Sequence, residues 1–105
     1  MNGENLWESI IYKLSSETEE FQTKRGHWFA ASSDGVNVYV NLAINHSPSS
    51  DLAIERTMTK QDFFLVLSYY DRWISGEKGV RSEVRNKSNN TSYIFSLIEY
   101  FENSN

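Results

Sequence analysis

Val36-Asn-Val-Tyr-Val-Asn-Leu-Ala-Ile44 is the stretch whose reading decides the fold, because Val36, Val38, Val40, Leu42 and Ile44 alternate with Asn37, Tyr39, Asn41 and Ala43. A period of two sends successive side chains to opposite faces, so this segment reads as a half-buried strand with one apolar face. Ser33-Asp34-Gly35 supplies the turn before it, and the single proline, Pro48, sits in the Ser-rich loop His46 to Asp51 after it, where a missing backbone donor does no harm. Upstream, Phe21 to Gly26 and then His27 to Ala31 read as two short extended pieces around a turn at Arg25-Gly26. Leu52 to Met58 offers a further short strand.

The flanks of this strand region are helical. Leu6, Trp7, Ile10, Ile11 and Leu14 recur on one face of a helix over residues 5–14, before Ser15 to Glu20 breaks the pattern. Thr59-Lys-Gln-Asp62 is a variant capping box, in which Thr59 accepts from a backbone N–H three residues on and Asp62 complements the positive helix end. The spacing then predicts a helix from Lys60 to about Ile74, with Phe63, Val66, Leu67, Tyr70, Trp73 and Ile74 buried and Ser75-Gly76 closing it. Val80 and Val84 anchor a short helix. Asn90 or Thr91 caps a last helix carrying Leu97, Ile98 and Phe101 on one face. The expected architecture is α+β: an N-terminal helix, a small antiparallel sheet of about three strands, then two or three helices on one sheet face.

A chain of 105 residues holds one domain, residues 1–105, with frayed ends expected at 1–4 and 102–105. Six Phe, six Tyr and three Trp make the expected core aromatic-rich. No apolar run approaches the ~20 residues needed to span a bilayer, and the first residues lack the basic region of a secretory signal. With no Cys there is neither a disulfide framework nor thiolate ligation, which fits a cytoplasmic protein. No membrane partner is expected.

Chemistry-bearing patterns are few. His27 and His46 are the only imidazoles and neither lies in a motif; no zinc, calcium or phosphate-loop spacing occurs, so no metal site, cofactor or catalytic residue is assigned. Glu17, Glu19 and Glu20 read as a solvated charge run rather than a catalytic dyad. Charge is divided along the chain: the overall formal charge is −4, but residues 72–87 hold five Lys or Arg against two Glu. Arg81, Arg85 and Lys87 precede the start of the last helix at Thr91 and Ser92, and helix N-termini present unpaired N–H groups to anions. This is the candidate anion or nucleic-acid site. The rival reading of the same cations is that they balance the acidic N-terminal helix and solvate a loop.

Three segments taken together, Phe21-Gln-Thr-Lys-Arg-Gly-His-Trp-Phe29, Thr57-Met-Thr-Lys-Gln-Asp-Phe63 and Thr91-Ser-Tyr-Ile-Phe-Ser-Leu-Ile98, resemble small bacterial domains found in or beside restriction-type, mobile-element or defence proteins. The resemblance covers residues 21–101. It implies a non-catalytic module near nucleic acid, with Lys24, Arg25, Lys60 and Ser92 as secondary positions. The expected function is therefore a small binding module for an anionic partner, possible nucleic acid included. The alternative is a homodimer or inhibitor-type protein-interaction module using the exposed edge of the Val36–Ile44 strand or surplus aromatic area, and a third reading is a small-ligand pocket of Trp28, Tyr39, Phe63 and Trp73.

Overall fold

The computed structural model describes residues 2–103. Four antiparallel strands, β1 (Glu19–Gln22), β2 (Trp28–Ser33), β3 (Val38–Leu42) and β4 (Arg56–Met58), form one meander in the order β1-β2-β3-β4. Helix α1 (Gly3–Ser16) precedes the sheet; α2 (Lys60–Leu67), α3 (Tyr70–Ile74), α4 (Val80–Arg85) and α5 (Thr91–Asn103) follow it. The α+β architecture expected from the sequence is thus the one observed, with four strands instead of about three and four later helices instead of two or three.

Strand registers explain the core. Phe21 faces Phe29, Ala31 faces Val40, and Val38 faces Met58, so these residues give one sheet face an apolar centre against the helices. Onto it α1 lays Leu6, Trp7, Ile10 and Leu14, and α5 lays Ile94, Leu97, Ile98 and Phe101. Trp7 meets Phe63 of α2 at 5.0 Å between ring centroids, joining the first and second helices across this core. Gly3 lies where a Cβ would come within 2.7 Å of Phe64 and 2.8 Å of Leu67, so the start of α1 depends on a missing side chain to approach α2.

Several boundaries differ from expectation, each for a physical reason. Helix α1 begins at Gly3, where the Asn2 side chain accepts from Asn5 N and caps it. At the other end Glu102 and Asn103 complete α5, while Ser104 and Asn105 lie outside the described residues. The alternating strand shortens to Val38–Leu42. Asp34 Oδ1 binds the N–H groups of Val36 and Asn37 in a turn, and Ile44 leaves the sheet to bind Glu20. Its edge is not free, since β2 and β4 pair with it on both sides, which removes that edge as a dimerisation surface. The helix expected over 60–74 breaks at Ser68-Tyr69: the Ser68 hydroxyl donates to Leu65 O, and Tyr69 N closes a tighter turn onto Val66 O. Residues 52–55 are loop, leaving only Arg56–Met58 as strand.

Candidate anion site at the start of the last helix

The turn that feeds α5 is built by its own polar side chains. Ser88, Asn90 and Thr91 are buried, with Ser88 Oγ accepting from Asn90 N and Thr91 Oγ1 donating to Ser88 O. Asn90 Nδ2 reaches across to Thr57 O and to Asp62 Oδ2 at 2.7 Å, tying the start of α5 to the end of β4 and the start of α2. The first amides of a helix have no partner within it. Among the described residues, no side chain accepts from the N–H of Thr91, Ser92 or Tyr93. The positive end of α5 therefore stays open.

Beside this helix end lies a hollow of about 300 Å³ bordered by Arg25, Arg56, Arg81 and Arg85. The turn after β1 supplies Arg25, β4 supplies Arg56, and successive turns of α4 supply Arg81 and Arg85, an i, i+4 pair on one helix face. Arg81 Nη2 donates to Ser92 Oγ at 2.7 Å, and Arg56 Nη1 donates to Asn89 O at 2.9 Å with its guanidinium 5.9 Å from the Tyr93 ring centre. None of the four forms an ion pair with a carboxylate among the described residues, whereas Arg72 is paired to both Glu77 and Glu83. Asp51 is the one carboxylate residue bordering the hollow. Burial pushes Arg81 below the ordinary arginine range, and the like charges of Arg85 and Arg25 add to that shift. Ser50 also borders the hollow; it is 7% exposed and its hydroxyl has no hydrogen-bond partner among the described residues. An anion placed here would meet several guanidinium donors beside the N-terminal end of a helix, which is the chemistry of phosphate or carboxylate recognition.

The residues singled out from sequence separate into two groups. Arg81, Arg85, Thr91 and Ser92 come together at this hollow, joined by Arg25. Lys87 does not: its Nζ donates to the Tyr69 hydroxyl at 2.8 Å on another side of α4, and that bond raises its pKa. Lys60 pairs with Glu4 at 2.9 Å and does not border the hollow. Lys24 pairs with Glu99 at 3.6 Å and borders a neighbouring cleft. Thr91 is buried and its hydroxyl is used within the turn. Arg56 and Ser50 went unmarked in the sequence. The only sequence signal for Arg56 is its place two residues before Met58, which puts both on the helix-covered face of the sheet.

The aromatic pocket does not assemble as expected. Phe63 is fully buried against Trp7, Tyr39 hydrogen-bonds Asp34, Trp73 stacks on Phe95 at 4.3 Å, and Trp28 stacks under His46 at 3.8 Å. His46 is engaged by Glu20 as well, whose carboxylate is held down to about 2, first by the N–H of Ile44 and then by those of Asn45 and the His46 ring. Among the described residues there is no cluster of three metal-ligating side chains, and no helix is long and apolar enough to cross a membrane. Comparison with protein-family models, with curated proteins and with solved structures yields no match for this chain.

Proposed function

We propose that the protein is a small non-catalytic binding module that holds a phosphate group of a nucleic-acid partner in the arginine hollow. The observation that carries this reading is the convergence of Arg25, Arg56, Arg81 and Arg85, without carboxylate partners among the described residues, on the open N-terminal end of α5. Like charges gathered from three separate elements cost stability unless an anion offsets them, whereas a cation needed only for solubility has no reason to sit beside another. The non-catalytic part of the reading is supported at Ser92, whose hydroxyl receives its hydrogen bond from Arg81 and not from an imidazole base, although His27 also borders the hollow. The likeness to mobile-element and defence domains rests on the three segments that carry it, two of which contribute Arg25 and Ser92 to the hollow. A cytoplasmic setting belongs to the same reading, supported by the absence of Cys.

Fluorescence anisotropy with labelled DNA and RNA over a salt series tests it. Affinity is expected to fall with a log–log slope of about −0.7 to −0.9 per phosphate contacted. Arg25→Glu with Arg85→Glu, both exposed positions, should abolish binding while the unfolding midpoint stays near that of the parent. No binding at low salt would end the nucleic-acid reading. It would then favour the protein-interaction module, which draws on the exposed aliphatic side chains Leu42, Ile44 and Ile54, with homodimerisation as one form of it.

A further inference from the structure

The arginine hollow shares Thr23, Arg81 and Ser92 with a second and larger cleft, of about 620 Å³, that runs between β1 and α5. The two cavities differ in character. Phe21 and Phe95, buried members of the core, line the larger one together with Trp28. Tyr100 stands over it 43% exposed, its ring edge-on to Phe21 at 5.0 Å. Polar side chains line it as well: Gln22, Ser96 one turn beyond Ser92, the Glu99 carboxylate 3.6 Å from Lys24, and the Glu20 carboxylate that binds His46. A flat apolar ring with hydrogen-bonding groups on its edge is the shape this cleft suits, and Arg81 places a guanidinium at its junction with the anion site.

We propose that the larger cleft receives an unstacked nucleobase while the arginine hollow holds the attached phosphate, so that the module binds single-stranded in preference to duplex nucleic acid. The proposal rests on the phosphate reading of the arginine hollow and adds the identity of what the phosphate carries. In a duplex the faces of the bases are buried in the stack, and only an unpaired nucleotide can present a face to Tyr100 beside its own phosphate. The arginines point the same way. They surround one concave site of about 300 Å³ instead of lying in a row along a surface, which suits one or two phosphates of a flexible strand better than the regular track of a double helix.

The test uses the full chain and four labelled probes at one low salt concentration: a single strand of mixed sequence, the duplex of that sequence, a strand of equal length in which every base is removed, and a phosphotyrosine peptide. The single strand should bind about ten-fold more tightly than the abasic strand, the scale expected for one base stacked on an aromatic side chain. Tyr100→Ala should erase that difference and leave the abasic affinity unchanged; Tyr100→Leu, which keeps apolar bulk without a flat ring, guards against loss of packing and should behave the same way. Equal binding of intact and abasic strands, both lost with Arg85→Glu, would overturn the base cleft while leaving the phosphate reading in place. Preference for the duplex or for the phosphotyrosine peptide would also overturn it. Binding of none of the probes would remove the phosphate reading and this inference with it.

Discussion

A carboxylate that accepts two backbone N–H groups and an imidazole, as Glu20 does from Ile44, Asn45 and His46, is fixed in its ionised form by the fold around it. Its side chain is 8% exposed, and its pKa is lowered from 4.5 to about 2. A lowered folded-state pKa means that the unfolded chain binds the proton more readily, so the stabilisation is complete above pH 4.5 and is lost as pH falls through about 2. Asp34, also lowered to about 2 by the Tyr39 hydroxyl and the N–H groups of Asn37 and Val36, titrates in the same window. Unfolding midpoints measured between pH 5 and pH 2 should therefore fall steeply for the parent protein and less steeply for Glu20→Gln. Parallel pH profiles would show that the clamp on the 44–46 loop contributes nothing to stability. In sequence Glu20 reads as part of a solvated run with Glu17 and Glu19, because nothing in that run signals partners 24 to 26 residues away.

The elements divide by whether local or distant groups define them. Thr59 was legible as a cap because the signal is contained in four residues, and its Oγ1 accepts from Asp62 N at 3.1 Å. Thr59→Ala should cost about 1 kcal/mol in denaturant unfolding, since a helix N-terminal donor loses its acceptor; an unchanged midpoint would place the start of α2 elsewhere. Phe63, four residues on, is fully buried against Trp7, and Phe63→Ala should cost about 3–5 kcal/mol by the same measurement. The apolar stripes of α1 and α5 and the alternation of β3 were equally legible, since each buries its face over enough residues to fix the period. The break at Ser68-Tyr69 was not, because apolar spacing continues through it to Tyr70 and only the Ser68 hydroxyl bond to Leu65 O marks the interruption. The candidate site was half legible for a related reason. Arg81, Arg85 and Ser92 are near neighbours in sequence, while Arg25, Ser50 and Arg56 are brought to them only by the closing of the meander.

At the scale of the whole molecule, an acidic protein carries one cationic hollow, and the two charges act over different distances. The body measures 33 × 29 × 24 Å and has a formal net charge of −4. At 0.01 M ionic strength the Debye length of about 30 Å spans the molecule, so every exposed carboxylate opposes the approach of a polyanion; at physiological salt, with about 8 Å, only groups near the hollow are felt. Glu8, exposed on α1 and without an ion-pair partner among the described residues, tests the distant contribution without disturbing packing. Glu8→Lys should raise nucleic-acid affinity in 0.01 M salt, chiefly through a faster association rate, and the gain should vanish near 0.15 M. Arg25→Glu should behave differently, lowering affinity at both salt concentrations because its charge borders the hollow itself. Stopped-flow association rates at the two ionic strengths separate these cases. Equal salt sensitivity for the two variants would mean that the partner senses only the net charge of the protein, and the arginine hollow would lose its claim to be the place where the anion sits.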